Sequence, residues 1–357
     1  MLIINDLHIG FNRVGGTTPT SREAMRTFLF DRFTALLEAT PETHVLILGD
    51  LFDHFEIAGR DWVQTYLILQ GWLLADSRRR LTLVAGNHDH SDKGHKVSSF
   101  QMLCTVLVES SVKVKVVAHN QFKEVEPGVF ALAHCSNQDE FEHRLEQILE
   151  EPDLRTLLLH ANYDNDFAVE SDHSLNIDQE IGETFCSLGV NLVFAHEHQA
   201  RTAYPAGQGH GKGAVHVLGN QWPTSVADCL GNAAKFAHVL RDSALTRIET
   251  WCASGAQGLL GVDWQRVMDA LDHTGFVRVQ GAASAAQAAD VMHAVTQLRN
   301  KSAALVISNA VKVDGVAALE ALPQSFEAAK RFDVLTYLQE HLDKPEFAAI
   351  QTLLERA

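Results

Sequence analysis

The chain has 357 residues, 46% of them hydrophobic, which suits a globular protein with one large domain and an appendage or with two domains. No apolar run approaches the ~20 residues of a membrane span, and the first residues lack the basic flank and cleavage site of a signal peptide, so we expect a cytoplasmic protein. The formal net charge of −16 argues against tight nonspecific DNA binding by this chain alone, because nucleic-acid binders usually carry a basic surface.

The cysteines are widely spaced, odd in number and include no C-x-x-C pair. This pattern predicts buried free thiols of a reducing compartment and argues against a disulfide framework or a zinc knuckle. The five residues are Cys104, Cys135, Cys186, Cys229 and Cys252.

Short hydrophobic runs bounded by glycine or polar residues predict buried β-strands. Five of them are followed within two residues by an Asp, His or Asn side chain; they lie at residues 2–4, 45–48, 81–85, 157–159 and 192–194. Further strands are predicted at residues 112–117, 128–133, 214–218, 236–240 and 246–251. Apolar residues at helical spacing predict helices at residues 21–40, 61–74, 98–108, 140–151 and 174–189. The alternation of strands and helices is typical of a layered α/β domain.

The small-residue stretch at 253–258 predicts the end of this core, which we place at residues 1–253. Beyond it, strands at 276–279 and 303–313 flank an Ala-rich helix at 283–298, which predicts a small α/β capping domain over residues 254–315. The tail at 316–357 carries two short amphipathic helices. We expect their apolar faces to dock on a partner, with packing against the capping domain as the alternative.

The polar residues that follow the five strands are the candidate functional residues. Parallel α/β sheets bind ligands at the carboxyl ends of their strands, so these side chains are expected to converge. Their mixed oxygen and nitrogen donors suit manganese, iron or zinc, and one shared carboxylate, Asp50, fits a pair of ions ~3.5–4 Å apart. The proposed ligands are Asp6, His8, Asp50, Asn87, His160, His196 and His198.

His88, next to the proposed ligand Asn87, is the candidate general acid, oriented by the carboxylate of Asp53 or Asp89. Three further residues are candidate substrate contacts, with solvated loop positions as the alternative. They are His54, His90 and Arg13. His134 is expected to be packed or to cap a strand end, and Trp222 to lie in the core or at a dimer contact.

The ordered blocks Asp-x-His, Gly-Asp-x-x-Asp, Gly-Asn-His-Asp, His and x-His-x-His resemble those of the calcineurin-like metallophosphoesterases over roughly residues 1–240. The resemblance implies a β-sandwich flanked by helices and gives His88 the role of proton donor. One metal would be held by Asp6, His8, Asp50 and His198, and the other by Asp50, Asn87, His160 and His196. One departure is Ala195, where the family usually has glycine, so a displaced backbone is expected near His196.

Within that superfamily the chain is most similar to SbcD/Mre-type DNA repair nucleases, including the nuclease subunit of T-even phage recombination complexes. The similarity depends on Gly49-Asp-Leu-Phe-Asp53, on Ser21-Arg-Glu-Ala24, on the segment Leu218 to Ser225 and on the appended C-terminal domain. It implies a manganese-dependent homodimer (Mg²⁺, Fe or Zn²⁺ being the alternatives) with 3′-to-5′ exonuclease and single-strand endonuclease activity on DNA. An SbcC/Rad-type ABC ATPase with a coiled coil would bind the C-terminal helices and supply DNA-binding surface.

Two other functions stay open at this point. A phosphodiesterase for small nucleotides or other phosphoesters would use the same metals and suits the acidic charge better. A scaffold subunit would keep the metal site but serve mainly to bind DNA ends or to tether the ATPase.

Overall fold

The computed structural model describes residues 1–11, 19–90, 96–111, 113–165, 175–203, 213–223, 234–252, 256–260, 276–283, 288–301 and 306–313. The strands are β1 Leu2–Ile4, β2 His44–Leu48, β3 Arg80–Val84, β4 Val114–Val117, β5 Phe122–Glu126, β6 Val129–Leu132, β7 Thr156–His160, β8 Asn162–Tyr163, β9 Asn176–Ile177, β10 Asn191–Ala195, β11 Arg201–Ala203, β12 Val215–Val217, β13 Ala234–Arg241, β14 Ala244–Cys252, β15 Ala256–Leu260, β16 Phe276–Ala283 and β17 Val306–Val313. The helices are α1 Pro19–Ala39, α2 Gly59–Ala75, α3 Ser99–Ser110, α4 Gln138–Leu149, α5 Gln179–Ser187 and α6 Ala288–Lys301.

Two six-stranded sheets form the body of the protein. The first has the order β14-β13-β1-β2-β3-β4, in which β1 to β4 are parallel and the β13–β14 hairpin is antiparallel to β1. The second has the order β11-β12-β10-β7-β6-β5, with parallel strands in the centre and an antiparallel strand at each edge. Because the central strands of each sheet are parallel, their carboxyl ends share one edge.

The second sheet shows how the sequence pattern produces layers. Successive side chains of a strand point to opposite faces. Leu158 and Val193 pack in a cluster with residues of the first sheet, whereas their neighbours Leu159 and Phe194 pack with α4 and α5. Both faces of these strands are therefore buried, and the predicted helix-flanked β-sandwich of an α/β protein is confirmed.

Helix boundaries follow local signals where the chain provides them. Ser98 accepts a hydrogen bond from the Gln101 amide while the Gln101 side chain accepts one from Ser98 N, which is a complete capping box at the start of α3. The predicted charged, exposed helix is α4, and it buries one stripe formed by Phe141, Leu145 and Ile148. None of the described helices is long and apolar enough to cross a membrane.

Several predicted boundaries were wrong. The helix predicted at 174–189 spans only Gln179–Ser187, because Asp178 caps it through Ile181 N while Ile177 pairs with Tyr163 in a short sheet. The edge strand β5 was missed, since its charged side chains hide the alternation. The Ala-rich helix begins at Ala288 rather than at 283.

The C-terminal part contains a third, parallel sheet in the order β15-β16-β17, and α6 packs against β16 and β17. Strand β15 begins inside the stretch predicted to be a boundary. The division at residues 253 and 315 stays a prediction. The tail helices at 316–357, Arg13, Cys229 and the turn at 207–212 lie outside the described residues.

Candidate metal centre

Two groups of side chains at the carboxyl ends of the strands bring their potential ligand atoms within 4.8 Å of one another. The first group consists of Asp6, Asp50, His160 and His196, and the second consists of His8, Asp50 and His88. Asp50 is common to both groups and is fully buried. The geometry thus places one carboxylate between two potential cation positions.

The chain turns sharply where the strands end. Four of the converging residues, none of them glycine, have a positive φ: 47° at Asp6, 46° at His8, 46° at Asp50 and 88° at His196. Such left-handed conformations are uncommon for residues with a side chain and are found where surrounding structure enforces them, often at functional sites. Here the pairing of strands continues beyond β1 and β2, since His8 N donates to Asp50 O (3.0 Å) and Asp53 N donates to Ile9 O (3.0 Å).

Two of the polar blocks begin with a glycine, Gly49 and Gly86, and the structure shows why no larger residue fits at either position. A Cβ atom on Gly49, whose φ is 76°, would lie 2.1 Å from the His160 ring. A Cβ atom on Gly86 would lie 2.2 Å from Asp50 Oδ1. Both contacts are far shorter than van der Waals distances, so only glycine allows the strands to approach closely enough for the groups to form.

Asp50 presents its two oxygens to different partners. Oδ1 accepts a hydrogen bond from the His88 backbone N–H (3.0 Å). Oδ2 lies 3.3 Å from His160 Nε2, 3.8 Å from His8 Nε2 and 3.9 Å from His88 Nε2. The backbone contact fixes the carboxylate, and the other oxygen faces three imidazoles.

The donor set fits divalent cations. Asp6 Oδ1 and Asp50 Oδ2 are buried carboxylate oxygens without a hydrogen-bond partner among the described residues. Buried carboxylate oxygens that lack a hydrogen bond are costly, and a cation between the two carboxylates would satisfy both. Asn87 Oδ1 lies 3.0 Å from His160 Nε2, so this amide oxygen also reaches the centre.

His198 lies farther out. Its ring centroid is 6.2 Å from that of His8, and it belongs to neither of the two groups. Ala195 keeps its strand in register, opposite His160, and its methyl group is buried in the inner core. The alanine that replaces the usual glycine is therefore accommodated without breaking the strand before His196.

The carboxylates and imidazoles of the centre shift one another's pKa values. Burial alone would lower the pKa of His160, but the Asp50 carboxylate raises it to about 9. Burial and the neighbouring His160 lower the pKa of His196 to about 4. Burial opposes ionisation of Asp50, yet His160 holds its pKa well below the ordinary value. An imidazole binds a cation in its neutral form, so a raised pKa of His160 is expected to make cation affinity depend on pH.

His88 stands at the solvent side of the centre, with its side chain 27% exposed. Its Nδ1 donates to the backbone carbonyl of Asp53 (2.7 Å), which leaves Nε2 facing the centre. The ring is therefore oriented by a carbonyl oxygen and not, as predicted, by a carboxylate. The Asp53 carboxylate instead contacts His8 Nδ1 (3.3 Å) and His54 Nε2 (3.0 Å), so it orients a potential ligand.

The Asp89 carboxylate is used in the framework rather than on His88. It accepts hydrogen bonds from Gly86 N (2.9 Å) and Phe52 N (3.3 Å), which ties the second block to the third. Burial and the nearby Asp50 raise the pKa of Asp89 to about 7. The prediction that it orients His88 was wrong because the backbone of its own loop takes its oxygens.

The remaining candidates occupy varied positions. The His54 side chain is 51% exposed beside Asp53. His90 stacks on His119, with ring centroids 3.5 Å apart. His134 and Trp222 are buried, as expected for packed residues, and Cys104, Cys135 and Cys186 are buried free thiols.

Sequence reasoning missed the residues that support the centre from behind. Gln221 Oε1 accepts from Asn5 N (2.6 Å) and Gln221 Nε2 donates to Asn5 O, so one side chain replaces a strand partner beside Asp6. Lys235, which is 3% exposed, donates from Nζ to the His198 carbonyl (2.9 Å). Glu197 accepts from Tyr163 N (2.9 Å) and pairs with Arg201. Of these residues, Gln221 lies in the segment Leu218 to Ser225, on which the similarity to SbcD/Mre-type nucleases depends.

The fold and this centre define a metal-dependent phosphoester hydrolase. Residues 1–200, more than half of the chain, match the family model described as calcineurin-like phosphoesterase, and the chain belongs to that family. No protein with a curated description matches the chain. Among solved structures, the nuclease MPE of Pseudomonas putida is similar at 14% identity, with 69% of this chain and 86% of that chain covered and a TM-score of 0.25, a likeness too low to indicate a substrate.

Proposed function

We propose that the protein is a two-metal phosphodiesterase that cleaves DNA, as the nuclease subunit of an SbcCD-like end-processing complex. The two-metal part of this proposal is supported by the position of Asp50, which belongs to both groups of potential ligand atoms. A single shared carboxylate is the requirement for two cations held ~3.5–4 Å apart. Manganese is the proposed metal, because the donors are carboxylate, amide and imidazole with no thiolate.

In this proposal the residues of the centre have separate roles in metal binding and in proton transfer. By the family resemblance, Asp6, His8, Asp50 and His198 would hold one cation, and Asp50, Asn87, His160 and His196 would hold the other. In the structure the Asp6 carboxylate lies in the same group of atoms as His160 and His196. Two such cations would withdraw charge from a phosphodiester and activate water for in-line attack. As an imidazolium cation, His88 would donate the Nε2 proton to the leaving oxygen and become neutral, while its Nδ1–H bond to the Asp53 carbonyl keeps the ring in the orientation for that transfer. The Asp53 carboxylate orients the His8 ring, and the Asp89 carboxylate connects the loops that follow β2 and β3.

Support for DNA as substrate comes from the sequence blocks that resemble SbcD/Mre-type nucleases. In the structure, Gln221 from one of those blocks pairs with the backbone of Asn5, immediately before Asp6. The block is thus integrated into the centre and is not a surface insertion. The net charge of −16 fits a nuclease that receives its basic DNA-binding surface from an ATPase partner.

The test is hydrolysis of 5′-labelled single- and double-stranded oligonucleotides by metal-free protein titrated with Mn²⁺, with and without the ATPase. Cleavage is expected to depend on Mn²⁺ and to disappear in Asp50→Asn, which removes the shared charge. Asp242→Asn, in the exposed β13–β14 turn far from the centre, is the matched control. Cleavage that persists in Asp50→Asn would refute the two-metal centre.

The acidic charge favours a second candidate, a phosphodiesterase for small nucleotides. That enzyme would hydrolyse a chromogenic diester at a high rate and leave oligonucleotides intact even with the ATPase present. A scaffold subunit would instead keep its biological role in Asp50→Ala. The oligonucleotide assay and complementation by that variant separate the three functions.

A homodimer is proposed as the working form. The adjacent helices α2 and α3 expose large apolar side chains, an arrangement typical of an interaction surface. These are Val63, Leu67, Leu74, Met102 and Val106. Leu67→Glu is expected to give a monomer in sedimentation velocity, whereas Glu38→Gln on α1 leaves the assembly unchanged. A wild-type chain that sediments as a monomer at micromolar concentration would contradict the proposal.

A further inference from the structure

A cleft lies between α3 and the loops that follow β3 and β4, with a volume of about 420 Å³. This is within the ~300–1,000 Å³ typical of small-molecule sites. Asp89 and His90, the two residues after His88, form part of its lining. The cleft therefore adjoins the metal centre through the same loop that carries the candidate general acid.

Two histidines, His90 and His119, lie on one side of this cleft. The rings of His90 and His119 stack with centroids 3.5 Å apart and planes 16° apart. Behind them, the His134 ring lies 5.7 Å from His119 at 18°. All three residues follow the carboxyl ends of strands β3, β4 and β6, so the sheet edges hold the stack in place. Nucleobases bind proteins by stacking on such aromatic faces.

The rest of the lining suits a neutral planar heterocycle better than an anion. Phe100 and Val97 supply apolar surface, and Gln101 and Thr105 supply an amide and a hydroxyl group. Among the described lining residues there is no Lys or Arg, while the Asp89 carboxylate is present. A phosphate would meet no cationic side chain among the described lining residues, whereas a base has a π-face for an imidazole ring and donors and acceptors on its edges for the polar groups.

We propose that this cleft binds the nucleobase of the nucleotide whose phosphodiester is cleaved at the metal centre. The inference rests on the proposed function and adds to it a recognition site for the base. A base inside a duplex cannot present both its edge and its faces to a protein cleft, so such a site would bind an unpaired nucleotide.

The test compares two substrates with the same leaving group, of which only one carries a nucleoside: thymidine 5′-(4-nitrophenyl phosphate) and methyl 4-nitrophenyl phosphate. Thr105→Trp fills the cleft from the exposed side of α3. We expect this variant to lower the ratio of kcat/KM for the thymidine ester to kcat/KM for the methyl ester by about tenfold or more, which is the effect expected for a lost base-stacking contact. The change should be mainly in the KM of the thymidine ester. Val97→Trp, at a 66% exposed position, is a second blocking variant and should lower the same ratio. Glu109→Trp, one turn further along α3 and outside the cleft lining, is the control and should keep the wild-type ratio.

A binding measurement separates failure of the cleft from failure of the proposed function. Saturation-transfer NMR with thymidine, which has no phosphate, is expected to show binding to the wild-type chain and to Glu109→Trp but not to Thr105→Trp. If neither ester is hydrolysed, the phosphodiesterase proposal fails and the thymidine signal still decides the cleft. An unchanged substrate ratio in both folded blocking variants, or no thymidine signal with the wild-type chain, would overturn the nucleobase site.

Discussion

His160 Nε2 lies 3.3 Å from Asp50 Oδ2, and this contact joins the two sheets of the sandwich at their carboxyl edges. Asp50 follows β2 of the first sheet and His160 ends β7 of the second. The close approach is possible because Gly49 and Gly86 leave no Cβ atoms in the gap. The candidate metal centre is therefore a property of the packing between sheets as much as of the residues themselves.

Gly86→Ala tests that dependence on packing. The new methyl group would lie 2.2 Å from Asp50 Oδ1 and 2.3 Å from Asp50 N, so the shared carboxylate must move. We expect the bound Mn²⁺, measured by metal analysis after dialysis, to fall toward zero and the free energy of unfolding to drop by roughly 1–3 kcal/mol from overpacking. Gly59→Ala, at the start of α2 with no atom within 4 Å, is the matched control. Equal metal content in the two variants would contradict this account.

His88→Ala separates proton donation from metal binding. The side chain is oriented by the Asp53 carbonyl and its Nε2 is 3.9 Å from Asp50, so its removal leaves the other potential ligands in place. We expect two metals to remain bound and kcat to fall by roughly 10²–10⁴-fold, the usual contribution of a general acid. The loss should be smaller for a diester with 4-nitrophenolate as leaving group, which needs little protonation. Unchanged DNA cleavage would refute the role.

The strand ends could be predicted from sequence, but the supports of the centre could not. Buried runs followed by Gly-Asp or Gly-Asn indicate both the strand and its polar end, since hydrophobic runs and glycine are local signals. Gln221 and Asn5 are 216 positions apart, and nothing in either neighbourhood indicates that an amide side chain will pair with a distant backbone. The orientation of His88 by a carbonyl was missed for the same reason, because every residue has one.

Gln221→Leu tests one of those supports. Leucine fills a similar volume but leaves Asn5 N and Asn5 O buried without partners, at roughly 1–3 kcal/mol for each group. Since Asn5 precedes Asp6, we expect weaker Mn²⁺ affinity by calorimetry along with lower stability. Gln179→Leu, at the exposed start of α5, removes an amide that has no contact with the centre and should change neither quantity. Full Mn²⁺ affinity in Gln221→Leu would show that Asp6 does not depend on this pairing.

The tail assignment is tested by deleting residues 326–357. Hydrolysis of a small diester is expected to persist, because the described centre lies within residues 1–235, while co-purification of the ATPase should be lost. The control is Glu38→Gln on α1, which leaves the tail and the proposed dimer surface intact and should keep the ATPase. An ATPase that still co-purifies with the shortened chain would show that the tail is not its docking site.

His238 gives a pH-dependent contribution to stability away from the metal centre. Burial, with Arg247 opposite and His216 nearby, lowers its pKa to about 4, below the ~6.5 expected in the unfolded chain. Between these two values the unfolded chain binds a proton that the folded chain does not, so stability must fall as the pH drops through this window. The difference corresponds to about 3 kcal/mol at most. In urea titrations of metal-free protein, His238→Gln is expected to lose less stability than the wild type between pH 7 and pH 5, while His143→Gln, exposed on α4, should follow the wild type. Parallel losses in all three proteins would mean that His238 is not kept neutral by the fold.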